Sequence, residues 1–221
     1  MNILYINLDK DILRNINMTK QFFNLNWDLD KIYRIDGVDG KRLTDEEKEY
    51  YESRKNFRTM CNIKERIHAR VGCMLSHLKA IKHAIDNNFK NVIILEDDIT
   101  INYLPNLEDI PENLDILYLG VQIEYIKEEE ERQTGKYIHI KKDYMKVFAC
   151  CGYYIPSREK LLDIYTTLTS QPRMGSIDND FVREIQSKGN CYIINPISVF
   201  QNDNFESNIG YSKKFKLKKE Y

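Results

Sequence analysis

The sequence predicts a single α/β domain built on a mostly parallel central sheet flanked by helices. Three observations carry this. Residues 3–40 read as strand, helix, strand and glycine-rich turn, the opening of a parallel sheet. Residues 92–95, Val-Ile-Ile-Leu, form an unbroken apolar run of the kind buried on both faces of a central strand. A chain of 221 residues with 42% hydrophobic content suits one substantial core better than two.

Each element follows from its pattern. Residues 3–7 predict a short buried strand, and residues 10–23 an amphipathic helix with Ile12, Leu13, Ile16 and Phe22 on its inner face. Residues 32–35 form the second strand, ending at Asp36, Gly37, Val38, Asp39 and Gly40, where glycine permits positive φ. The acidic start at residues 44–47 predicts a capped helix to Tyr51, and residues 52–64 a polar loop. Val71, Leu75, Leu78, Ile81 and Ile85 recur at steps of three and four, which predicts a core helix ending near Asn87. Strands follow at 91–95, 114–119, 137–140, 146–155 and 191–195. Helices fall at 157–165, with Ser157 as N-cap, and at 178–187. Residues 127–132 are a charge run read as a solvated loop. The domain spans 1–210, and 211–221 is a basic C-terminal tail whose lysines are read first as solubilising, with closure over a phosphate as the alternative.

Composition narrows the partners. The 33 lysines and arginines nearly cancel 34 aspartates and glutamates, so no global field draws nucleic acid or an anionic membrane. Five cysteines without a C-x-x-C pair fit reduced thiols better than a disulfide framework or a zinc site. A strand starting at Ile3 leaves no room for a secretory leader, and the apolar stretch at 147–155 is too short for a transmembrane segment. The expectation is a cytoplasmic protein.

The chemistry centres on Glu96, Asp97 and Asp98, which follow the apolar strand directly. Adjacent carboxylates repel, and a hard divalent ion, Mn²⁺ or Mg²⁺, resolves the conflict. Alternation along an extended segment turns Glu96 and Asp98 toward one ion and Asp97 to the other side. The end of a parallel strand is where open α/β sheets bind ligands. The bland alternative is an exposed acidic turn.

Residues 72–80, Gly-Cys-Met-Leu-Ser-His-Leu-Lys-Ala, followed by residues 92–99, Val-Ile-Ile-Leu-Glu-Asp-Asp-Ile, resemble the central signature of glycosyltransferase family 25. The likeness extends to Ile6, Asn7 and Leu8 with Arg14, to Asp36 and Gly37, to residues 115–120 and 152–155, and to Pro196 with Gln201. That family includes bacterial lipooligosaccharide galactosyltransferases and procollagen galactosyltransferase-like proteins. The resemblance implies a GT-A-type nucleotide-sugar-binding fold and inverting transfer of a hexose, galactose first, from a UDP-sugar to a hydroxyl of a glycan or protein acceptor. It implies the metal at Glu96 and Asp98, the diphosphate beside Glu96 and Asp97, and the base and ribose beside Asn7, Leu8 and Asp36. For Asn7 and Asp36, turn-forming roles stand beside these.

Inverting transfer also needs a base for the acceptor hydroxyl. Asp178 and Asp180 are the candidates, Asp178 first, with an N-cap role open to either. His77 reads as structural rather than catalytic, Lys79 as a solvated helix lysine and Cys73 as packing. Where relatives carry Ser-Asp-Ile after the late glutamine, this chain has Ser207, Asn208 and Ile209, with Asp203 or Glu206 as substitutes. Two rival readings stay open: a nucleotidyltransferase, although no glycine-rich loop follows the first strand, and a sugar-nucleotide-binding subunit without turnover.

Overall fold

The computed structural model describes residues 1–53, 64–103, 105–125, 135–141, 143, 145–171, 176–206 and 208. The charge run at 127–132, the basic tail at 211–221 and most of the polar stretch at 52–64 lie outside the described residues, as do Ser207 and Ile209. Nine strands and five α-helices are assigned among the described residues. They are β1 (Asn2–Asn7), α1 (Ile12–Asn24), β2 (Ile32–Asp36), α2 (Asp45–Ser53), α3 (Lys64–Asp86), β3 (Val92–Glu96) and β4 (Ile99–Ile101). There follow β5 (Ile116–Tyr125), β6 (Tyr137–His139), β7 (Met145–Ile155), α4 (Arg158–Thr169), α5 (Ile177–Asp180), β8 (Cys191–Ile194) and β9 (Val199–Gln201).

Seven strands form one mixed sheet in the order β2-β1-β3-β7-β5-β8-β6. β1 pairs parallel with β2 and β3, and β5 parallel with β8, while β7 runs antiparallel between β3 and β5 and β6 antiparallel to β8. Five of the seven strands therefore run the same way, and the fold is a single mixed α/β domain. β4 and β9 form a separate two-stranded ribbon.

Burial on both faces explains the apolar strands. Leu4, Ile94, Tyr118 and Tyr153 pack with Met74, Leu78 and Ile81 of α3 and Leu161 and Ile164 of α4. On the opposite face Ile3, Tyr5, Ile93, Leu95 and Leu117 pack with Met18 and Phe22 of α1 and with Ile99 and Val199 of the ribbon. Alternation along each strand sends neighbours to opposite cores. The acidic start of α2 is a reciprocal capping box: Thr44 N–H donates to Glu47 Oε2 (2.8 Å) and Glu47 N–H to Thr44 Oγ1 (3.1 Å). Ser157 caps α4, accepting from Lys160 N–H at 3.2 Å. After α5 the chain continues in a π-helical turn, Phe181–Gln186, whose Gln186 donates to Tyr118 Oη and the Val147 carbonyl.

Two expectations need correction. α1 buries Arg14, Met18 and Phe22, whereas Ile12, Leu13 and Ile16 face outward at 64%, 74% and 44% exposure. A helix that delivers an arginine to a buried acidic site must turn that side inward, and hydrophobic periodicity alone reads it outward. Gly37 and Gly40 also do not adopt positive φ; among the described glycines only Gly135 does. Gly40 is required by close approach instead. A Cβ there would lie 1.8 Å from the His68 carbonyl oxygen, and one on Gly72 would lie 2.5 Å from the Val38 carbonyl oxygen and 2.6 Å from Gly40 N. The residue 38–41 loop thus lies directly on α3. Backbone cannot yield as a side-chain tip can, so Gly72→Ala is expected to destabilise the fold by roughly 1–3 kcal/mol, measured as a lowered urea midpoint. An unchanged midpoint contradicts this packing.

Candidate active site

The carboxyl ends of β1 and β3 open onto a cavity of about 1010 Å³. In register, Ile6 lies opposite Glu96 and Asn7 opposite Asp36, so the three parallel strands end together at this edge. The walls come from α3, the 38–41 loop, β5 and β7, residues 176–179 and, near the end of the described chain, residues 201–203, 205, 206 and 208. Ser76 ties the first two together: its hydroxyl donates to the Gly72 carbonyl (2.7 Å) and accepts from Val38 N–H (2.8 Å).

Glu96, Asp97 and Asp98 all line the cavity, but their partners differ. Asp97 is clamped from behind: Arg14 Nη1 donates to Oδ1 at 2.8 Å and Asn7 Nδ2 to Oδ2 at 2.7 Å. Burial pushes the Asp97 carboxyl up, against the opposing pull of Arg14 and Asn7. Glu96 Oε1 accepts from His77 Nε2 (3.4 Å) and the Cys73 thiol (3.8 Å), while His77 Nδ1 meets Tyr153 Oη at 3.0 Å. Burial works against the Glu96 charge, yet His77, Cys73 and Arg14 outweigh it and hold its pKa below the usual range.

Asp98 is the least satisfied of the three. Its Oδ1 is buried without a hydrogen-bond partner, and Oδ2 has only Gln201 Nε2 at 3.4 Å and Arg14 Nη1 at 3.6 Å. Burial and the neighbouring Glu96 charge push its pKa up to about 7. A buried carboxylate oxygen with no donor is costly, and a cation is the partner that would satisfy it.

The cavity as a whole is acidic. Asp39, Glu96, Asp97, Asp98, Glu124, Asp178, Asp203 and Glu206 line it, against the cations Lys10, Arg14 and Lys41. Cys73, His77 and Glu96 place one ligand atom each within 4.8 Å of one another. Burial and the surrounding carboxylates push the Cys73 thiol well up, so it stays protonated and serves Glu96 as a donor.

The remaining candidates separate clearly. Leu8 lines the cavity. Asn7 is buried behind the wall, its amide occupied by Asp97 and, through Oδ1, by Arg34 Nε at 2.9 Å. Asp36 is exposed and lies outside the lining, with Lys79 Nζ 3.6 Å from its carboxylate and donating to its carbonyl at 2.7 Å. Asp178 lines the cavity. Asp180 is buried outside it, 2.8 Å from Arg183 Nη2. Ser176 occupies the N-cap position that either aspartate was expected to fill. Sequence reasoning gave no structural role to Arg14, and none at all to Ser76 or to residues 201–208 as a wall.

A comparison with protein families matches residues 1–172 to glycosyltransferase family 25, described as an LPS biosynthesis protein family. The chain belongs to glycosyltransferase family 25. No curated protein matches it. The family match covers the whole of β1 to β3 and the carboxylate cluster, and ends before Asp178 and the 201–208 wall. The coarse activity follows from membership: the protein is a glycosyltransferase of LPS biosynthesis, taking a sugar from a donor to an acceptor.

Proposed function

We propose that this family 25 enzyme is a metal-dependent, inverting hexosyltransferase that uses a UDP-sugar, galactose first, and a hydroxyl of a glycan or protein acceptor. The observation that carries it is the unpartnered, buried Oδ1 of Asp98 in a cavity whose lining carboxylates outnumber its cations. Such a cavity repels a diphosphate unless a divalent ion joins them. Glu96 and Asp98 would hold Mn²⁺ or Mg²⁺. Once bound, the ion supplies Lewis-acid stabilisation of the departing diphosphate.

The chain's own residues do the rest. Arg14 and Asn7 hold Asp97 by its two carboxylate oxygens, and the same Arg14 nitrogen stands 3.6 Å from Asp98. His77 and Cys73 orient Glu96 through Oε1. Leu8 offers an apolar surface to the nucleotide. Asn7 meets the donor side through Asp97, and Asp36 engages Lys79 at the end of β2. Asp178 accepts the proton of the acceptor hydroxyl, a role supported by its place in the cavity wall, which Asp180 lacks. The cavity volume accommodates a nucleotide sugar together with part of an acceptor.

A panel of UDP-sugars incubated with Mn²⁺ tests this, with UDP release as the readout. Turnover with one hexose donor, stimulated by acceptor and abolished by chelation, is expected; absence of UDP release from every donor would instead favour a binding subunit. Asp178→Asn is expected to leave UDP affinity unchanged and lower transfer about 10²-fold or more. If transfer by this variant matches wild type, Asp178 is not the base.

A further inference from the structure

We propose that Cys73, His77 and Glu96 form a second metal site, which takes a thiophilic divalent ion of the zinc class and shares Glu96 with the ion proposed at Glu96 and Asp98. Cys73 and His77 stand four residues apart on α3 and project from one side of that helix. Glu96, at the end of β3, brings the third ligand from another element. Cys73 Sγ lies 3.8 Å and His77 Nε2 3.4 Å from the same Glu96 oxygen, Oε1, and all three atoms fall within 4.8 Å of one another. A tetrahedral zinc, with bonds of about 2.3 Å to sulfur and about 2.0–2.2 Å to nitrogen and oxygen, needs its ligand atoms roughly 3.4–3.6 Å apart. Small side-chain movements therefore close the cluster around an ion.

The surroundings suit this use. His77 is buried, its ring stacks on Tyr153, and its Nδ1 meets Tyr153 Oη at 3.0 Å. A partner on one ring nitrogen orients the imidazole and leaves the other for a metal. All three side chains line the cavity, so an ion can enter and keep a fourth position open toward it. Sulfur sets the preference, because thiolate and imidazole favour zinc-class ions whereas Mn²⁺ and Mg²⁺ favour oxygen. On coordination the Cys73 S–H bond is replaced by a sulfur–metal bond and the proton leaves to water. No C-x-x-C spacing announces such a site, since its third ligand arrives only through the packing of α3 on β3.

An ion seated here draws on Glu96 and competes with the ion proposed for the diphosphate, which makes the site inhibitory. That consequence rests on the proposed function, whereas the site itself does not.

The test is titration of the full chain with Co²⁺, followed by the near-ultraviolet thiolate-to-cobalt absorption band. The band is expected to saturate at a single ion per chain and to disappear when Zn²⁺ is added. Cys73→Ser, which keeps a hydroxyl donor for Glu96, should abolish the band with the fold retained by circular dichroism. Cys151→Ser should keep it, because Cys151 lines the cavity but lies outside the cluster. Glu96→Gln should weaken cobalt binding by more than the roughly tenfold that loss of an outer partner costs. Asp98→Asn should keep the band, and excess Mn²⁺ should weaken cobalt binding in wild type but not in Asp98→Asn. No band in wild type, a band that survives Cys73→Ser or is lost in Asp98→Asn, or unchanged affinity in Glu96→Gln overturns the proposal. Equal displacement by Mn²⁺ in wild type and Asp98→Asn also overturns it, because the site would then not select for sulfur-seeking ions. Cobalt binding needs no donor sugar, so these results are separate from any failure of UDP release.

Discussion

Asp98→Asn is expected to lower metal-dependent UDP release about 10³-fold or more while raising the melting temperature of the metal-free protein. Both effects arise from one carboxylate. Ion stabilisation of a departing diphosphate is worth several kcal/mol, and several kcal/mol is about three orders of magnitude in rate. An asparagine amide keeps the shape but loses the charge that, with Glu96, would hold the ion. The gain in stability follows from the direction of the pKa shift. Burial and Glu96 raise Asp98 to about 7, so ionising it inside the fold opposes folding, and stability is lost as pH rises from the ordinary carboxylate range toward 7. At pH 7.5 the neutral asparagine avoids that cost, and a rise of roughly 2–6 °C is expected. The difference should vanish near pH 4, where the aspartic acid is itself protonated. A variant that melts below wild type at pH 7.5 would show that Asp98 is satisfied by its protein neighbours and needs no cation.

Arg14→Met is expected to cost about 3–5 kcal/mol of stability, the largest structural effect of a single substitution in this site. Arg14 is 8% exposed, and its guanidinium reaches Asp97 at 2.8 Å, Asp98 at 3.6 Å and the Glu206 carbonyl, with the Phe205 ring centroid 5.7 Å away. Removing it leaves two buried carboxylates without their cation and frees the 201–208 wall from α1. Lysine cannot replace it, because one ammonium cannot present the flat fork that spans Asp97 and Glu206. Urea unfolding measures the loss. Combining Arg14→Met with Asp97→Asn should cost clearly less than the sum of the two, since the second substitution removes the charge stranded by the first. Additive effects would contradict a direct Arg14–Asp97 pair.

These two residues also show what the sequence made legible. The apolar run of β3 and the carboxylates behind it were readable because a strand buried on both faces leaves a composition signature, and because strand ends collect ligands. The strand, helix, strand opening was equally plain. On α1 the reading placed Phe22 correctly but turned Ile12, Leu13 and Ile16 inward, since these apolar residues outweigh one arginine in any periodicity. Only the tertiary position of Asp97, more than eighty residues away in sequence, explains why Arg14 points inward. β4 and β9 have three residues each and pair across about a hundred positions, too short for a local pattern. The choice between Asp178 and Asp180 depended on which side of a helical turn meets the cavity. Spacing of two could not decide it.

Calorimetric titration of UDP into the wild-type protein with and without Mn²⁺ tests the central claim most directly. The expected result is measurable UDP binding with Mn²⁺ and its loss on chelation, because the carboxylates of the cavity repel an unaccompanied diphosphate. Equal UDP affinity in the two conditions would contradict a metal held by Glu96 and Asp98.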